Sequence, residues 1–155
     1  MHFIIFNFWK KFHFLCYNYC MRKLKPIFSG FGKPGEKVSE KKGIYILEGE
    51  GTDLGCNLVI KEKIKSPSLL ELDVRGRIEK KVPWARLRIE IFDREKPKNP
   101  ATSFEDEWLT VELDPRNFRH LSLPILGIVK HPERVQFMVV GQAGSRLEIK
   151  DVLLR

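Results

Sequence analysis

Nine residues near the middle of the chain, Ala85–Asp93 (ARLRIEIFD), alternate almost strictly. Leu87, Ile89 and Ile91 fall on one side; Arg86, Arg88 and Glu90 fall on the other. A period of two sorts side chains this way on a strand and scatters them around a helix. One face of such a strand meets a core and the other meets water, as in an antiparallel sheet. The pattern recurs between turn signals at Gly43–Glu48, Cys56–Ile64 (Leu58, Ile60 and Ile64 on one face) and Leu69–Ile78 (Leu70, Leu72 and Val74 against Glu71, Asp73 and Arg75). Further strands are expected at Trp108–Leu113, Leu121–Ile125, Val135–Val140 and Leu147–Leu154. Pro124 marks an edge or a strand end. The nearly continuous apolar run at Val135–Val140 suits a strand covered on both faces. A phase slip at Lys150-Asp151 predicts a β-bulge. Residues 94–107, with two prolines and no apolar period, read as a polar loop. No window after residue 43 carries a three-turn helix, so eight short strands predict an all-β sandwich or barrel.

Charge divides the chain. Residues 1–42 hold nine basic and two acidic residues, a net of +7 out of the +8 of the whole. Residues 43–155 hold nineteen against eighteen and are nearly neutral. Ten of the 17 aromatics lie in the first 31 residues, together with Cys16 and Cys20. The expected organisation is therefore a basic, aromatic, mostly irregular arm over 1–42 and a sandwich over 43–155 that can bury a core without disulfides or metal. Within the arm, 21–42 is a Lys-rich linker with several Gly and Pro. Residues 1–20 do not form a standard signal peptide or membrane span, because Lys10 and Lys11 split the apolar run. Two readings of 1–20 stand: a segment preceding a true start at Met21, since thirteen of the 20 are Phe, Ile, Asn, Lys or Tyr, or an interfacial segment giving weak membrane association. No nucleic-acid-binding motif accompanies the basic residues, so a specific nucleic-acid partner is not expected.

The glycines at 49, 51 and 55 would need a following helix to bind a dinucleotide; the next segment alternates like a strand, so they are expected to be a connection. His120 and His131 lack metal-ligand spacing, and Cys56 reads as a buried thiol. Carboxylates at Glu90, Asp93 and 105–107 read as a solvated face. Trp84 and Trp108 flank the polar loop, where exposed rings could stack on a ligand. Arg86 and Arg88 could donate forked hydrogen bonds from the outer face of their strand, or make cross-strand pairs there.

YILEGEGTDLGCNLVI, SPSLLELDVRG (with Leu70-Glu71-Leu72-Asp73-Val74-Arg75-Gly76), ARLRIEIFD and QFMVVGQAGSRLEIKDVLL (with Ile149-Lys150-Asp151-Val152) together resemble carbohydrate-binding modules of the galactose-binding-domain-like superfamily. The resemblance implies an antiparallel jelly-roll β-sandwich that binds a polysaccharide or glycan without cleaving it, secreted or at the cell surface. For such a ligand, Trp84 and Trp108 beside the polar loop are expected to stack on it, and Arg86, Arg88 and Asp93 to supply hydrogen bonds. The resemblance also implies a structural calcium, with Glu48 and Asp151 at the matching positions. The competing expectation is a structural or protein-interaction sandwich, membrane-associated through its arm. An enzyme has no residue constellation behind it.

Overall fold

The computed structural model describes residues 24–105, 109–110 and 113–155. Ten strands build two five-stranded antiparallel sheets: β1 Ile27–Phe31, β2 Lys37–Lys41, β3 Ile44–Gly49, β4 Leu54–Val59, β5 Leu69–Lys80, β6 Arg86–Asp93, β7 Pro100–Phe104, β8 Arg119–Pro124, β9 Pro132–Val140 and β10 Ala143–Leu154. The front sheet runs β1-β4-β9-β6-β7 and the back sheet β2-β3-β10-β5-β8. The chain passes back and forth between the sheets, which makes the architecture an antiparallel jelly-roll sandwich.

The alternation in the sequence sets the interior. Leu54, Cys56 and Leu58 of β4, Leu87, Ile89 and Ile91 of β6, and Val135, Phe137 and Val139 of β9 turn inward from the front sheet and are fully buried. They meet Leu47, Leu70, Leu72, Val74, Leu147 and Ile149 from the back sheet. Burying one such aliphatic side chain is worth about 1.5–3 kcal/mol, so the interleaved rows carry the fold. Pro124 ends the edge strand β8, as expected. The bulge is present too: β10 advances from Lys150 to Leu153 while β5 steps only from Asp73 to Glu71. Asp151 takes the left-handed conformation there (φ 50°), which Asp tolerates better than most residues.

Three expectations are corrected. Residues 27–41, assigned to the irregular arm, carry β1 and β2, which pair with β4 and β3. Both are short edge strands with few buried side chains, so their sequences show no long period. The polar loop 94–107 contains β7, paired with β6 from Ile89 to Phe92. Of the expected strand Trp108–Leu113, Leu109, Thr110 and Leu113 are described: the first two are helical and Leu113 lies in no strand. Leu109 joins the core, and the Thr110 hydroxyl accepts a hydrogen bond from the Leu87 amide at 3.1 Å. A further difference concerns β9: its outer face is not fully covered, and Gln136 and Met138 are half-buried there.

Candidate functional site: the outer face of the front sheet

Cross-strand pairing places residues from five strands into rows on the outer face of the front sheet. The middle row runs Ser29, Asn57, Gln136, Glu90, Ser103. Every member carries a hydroxyl, an amide or a carboxylate. At about 4.8 Å per strand the row spans about 19 Å, the length of an oligosaccharide rather than of a single sugar. On one side lies the row Phe31, Gly55, Met138, Arg88. A Cβ on Gly55 would run into the Phe137 carbonyl and the Phe31 ring, so only glycine lets that ring lie against β4. On the other side lie Val59, Arg134 and Phe92, where the Arg134 guanidinium stacks 3.7 Å from the Phe92 ring centroid. A polar strip thus runs between two strips of apolar and cationic surface, the pattern of a site that fixes orientation with a few polar groups.

The charges along β6 are organised by Glu105. Arg88 donates from Nε at 2.6 Å and from Nη2 at 2.5 Å to the same Glu105 oxygen. Its remaining nitrogen lies 3.9 Å from Glu90. Arg86 Nε is 3.8 Å from Glu105, too far for a hydrogen bond, and it is buried without a hydrogen-bond partner. Arg88 is therefore held in place, while Arg86 keeps an unspent donor.

Trp84 immediately precedes β6, two residues before Arg86, and is 57% exposed. Its ring packs on Gly141, where a Cβ would come within 2.8 Å of it. It is an indole standing at the rim of the front sheet. Trp108 lies outside the described residues.

Asp93 has a different role from the one expected. It is buried, and its carboxylate accepts from the backbone amides of Glu95 (3.0 Å), Lys130 (2.8 Å) and His131 (2.9 Å). Burial pushes its pKa up, but the amides of His131, Glu95 and Lys130 outweigh that and hold it below the usual value. Its oxygens are spent on the protein, so it ties the β6–β7 loop to the β8–β9 loop and does not offer itself to a ligand. Glu48 and Asp151 are not brought together either. Glu48 sits opposite Arg146, and Asp151 lies five residues further along β10, about 16 Å away at strand rise. Asp151 instead lies 3.4 Å from Lys150. These two carboxylates do not fit one calcium ion, and among the described residues no group of three or more His, Cys, Asp or Glu could hold a metal.

The outer face of the back sheet is a ladder of polar pairs: the ion pairs Arg75–Glu148 (2.6 Å) and Arg155–Glu71 (2.5 Å) and the His120–Asp73 hydrogen bond (3.0 Å), with Phe118 between Arg75 and Lys150. The β3–β4 glycine connection crosses between the sheets with no helix after it. It borders a cleft of about 360 Å³ whose flanking charges include the pair Arg77–Glu79. Cys56 points into the core, where burial pushes its thiol up to about 12. His120 lies on the outer back face and His131 in the β8–β9 connection, so neither meets it.

Carbohydrate-binding modules are among the solved structures with a similar sandwich. The sandwich has the jelly-roll fold of family 29 carbohydrate-binding modules. One such module, a mutant complexed with cellulohexaose, superposes at a TM-score of 0.55 with 17% identity, covering 85% of this chain and 87% of that one. A second, complexed with mannohexaose, gives 0.53 and 18% over 81% and 78%. A third family 29 module gives 0.54 and 18% over 84% and 83%. No protein-family model matches the sequence, and no curated protein matches it significantly.

The sequence marks Trp84, Arg86 and Arg88 as candidates, and the structure places them along β6 and just before it; Asn57, Gln136, Met138 and Phe31, which share this face, carry no such mark, and Glu90 reads as a solvated charge. Their only sequence signal is parity: each is an outward position in a strand whose inward positions are apolar.

Proposed function

We propose that this protein is a non-catalytic carbohydrate-binding β-sandwich, and that its ligand is an oligosaccharide chain lying across the outer face of the front sheet. The observation that carries the reading is the row Ser29, Asn57, Gln136, Glu90, Ser103. Amides, hydroxyls and a carboxylate donate and accept along one line, which suits a polymer of hydroxyls. Arg86, two rows further along β6, keeps a donor with no hydrogen-bond partner. Phe31 and Met138, in the adjacent row, supply flat or soft apolar surface for sugar faces, and Trp84 stands further along, at the rim. The fold shared with family 29 modules complexed with cellulohexaose and mannohexaose supports glucan and mannan chains as the first ligands to try.

The test is isothermal titration calorimetry with cellohexaose and mannohexaose, then affinity electrophoresis against a wider polysaccharide panel. Gln136→Ala should lower affinity about tenfold through loss of a hydrogen bond left unmet on the ligand. Met138→Ala, in the adjacent row, should lower it by a similar factor, with thermal melts as the control for folding. Wild-type protein that binds no member of the panel, or Gln136→Ala and Met138→Ala variants that bind as wild type does, would refute the reading.

A further inference from the structure

The end of the sandwich opposite Trp84 carries an unusual tip. Ile125 and Val129 are fully buried and anchor a turn closed by the Ile128 and Val129 amides donating to the Ile125 carbonyl. Between the anchors, Leu126 is 72% exposed and Ile128 is 50% exposed. Gly127 (φ +76°) makes the bend. Two large aliphatic side chains are thus held outward on one short turn, an arrangement that costs solubility and calls for an apolar partner.

What surrounds the turn is cationic. Residues 66–68 run along its flank: the Ser66 amide donates to the Lys130 carbonyl at 2.7 Å and the Ile125 amide to the Ser68 carbonyl at 2.9 Å. Just before them come Lys61, Lys63 and Lys65, all exposed, and Lys130 is exposed two residues beyond Ile128. No ion pair among the described residues engages these four lysines. Acids are present at this end too: Glu62 accepts from the Lys25 amide, Asp93 accepts from the Lys130 and His131 amides, Glu95 lies 3.6 Å from His131, and Glu133 pairs its carbonyl with the Ile60 amide. The Lys25–Glu62 contact also puts Lys25, near the start of the described residues, at this same end. The chain before it holds the aromatic, lysine-containing residues 1–20.

We infer that the Leu126–Ile128 turn, with its collar of Lys61, Lys63, Lys65 and Lys130, docks on an anionic lipid bilayer. The aliphatic pair enters the headgroup boundary and the lysines meet acidic lipid headgroups, an apolar tip with a basic collar that suits this surface and no other partner as well. Docking there stands the sandwich on end. The front sheet then faces sideways, with the polar row clear of the membrane. No helix among the described residues is long and apolar enough to cross a membrane, so contact at this end is peripheral for that part of the chain.

The experiment is co-sedimentation of the full chain with phosphatidylcholine vesicles, with and without phosphatidylserine. Wild-type protein should partition onto the phosphatidylserine vesicles, less onto pure phosphatidylcholine, and less still as salt rises. Leu126→Ser/Ile128→Ser should lower the partition coefficient at least about tenfold. Lys63→Gln/Lys65→Gln should lower it about 25-fold, about fivefold for each lysine. Both variants alter exposed side chains, and unchanged melting temperatures will verify that they fold. All carry the same residues 1–20, so partitioning that neither variant changes assigns the affinity to that segment and overturns the inference. Failure of the wild type to bind, or equal uptake by neutral vesicles, overturns it as well. So does loss of self-association, rather than of vesicle binding, in the Leu126→Ser/Ile128→Ser variant, since that would assign the turn to a second copy of the chain.

Discussion

Asp93→Asn tests whether this carboxylate is a staple. The substitution keeps the shape of the side chain but leaves one acceptor oxygen in place of two. In the native sandwich one oxygen takes the Glu95 amide, and the other takes both Lys130 and His131. An asparagine must either present its NH2 group to two amide donors or flip and oppose the third. Hydrogen bonds to charged groups are worth about 1.5–3 kcal/mol each. Part of the loss at Lys130 is recovered by water, since that residue is exposed. The expected cost is about 2–4 kcal/mol at neutral pH, which lowers the thermal midpoint by roughly 8–15 °C. A pH series makes the test sharper. The carboxyl is held below its ordinary pKa, so its stabilisation is complete above the unfolded value near 3.9 and fades as pH falls through the lower folded value. Once protonated, Asp93 resembles asparagine, and the gap between wild type and variant should narrow below about pH 4. Circular dichroism melts at neutral and acid pH measure both effects. A gap under about 1 kcal/mol at pH 7, or an equal gap at both values, refutes the staple.

Two other substitutions probe the frame behind the proposed site. Gly76 has φ +141°, and a Cβ there would collide with the Arg146 carbonyl across the β5–β10 ladder; Gly76→Ala should cost at least about 2 kcal/mol in urea unfolding. Cys56, with its thiol pushed up to about 12 by burial, should resist iodoacetamide at pH 8 until urea unfolds the chain, as peptide mass spectrometry will show. Replacing it with serine should cost about 1–3 kcal/mol by burying a hydroxyl among apolar neighbours.

The limits of sequence reading here follow from what a sheet is. Burial leaves a local trace: Leu87, Ile89 and Ile91 point inward because each is two residues from the next, and the core strands were legible on that ground alone. Even the bulge at Lys150-Asp151 showed as a break in the same period. The edge strands β1 and β2 left little trace, because a strand paired on one side and half in water needs few apolar residues. A site on the outer face leaves less still. Asn57, Gln136 and Glu90 are 79 residues apart at the extremes of sequence and adjacent in space only through the register that pairs β4 with β9 and β9 with β6. Nothing local to Gln136 says that Asn57 is beside it. Asp93 shows the converse hazard: an acidic residue at a strand end next to a polar loop has the sequence signature of a ligand contact, and only the positions of the Lys130 and His131 amides distinguish a staple from a hand held out to solvent. The front face of this sandwich is therefore defined by pairing register, and a one-residue slip of β9 would carry Gln136 inward and dissolve the row.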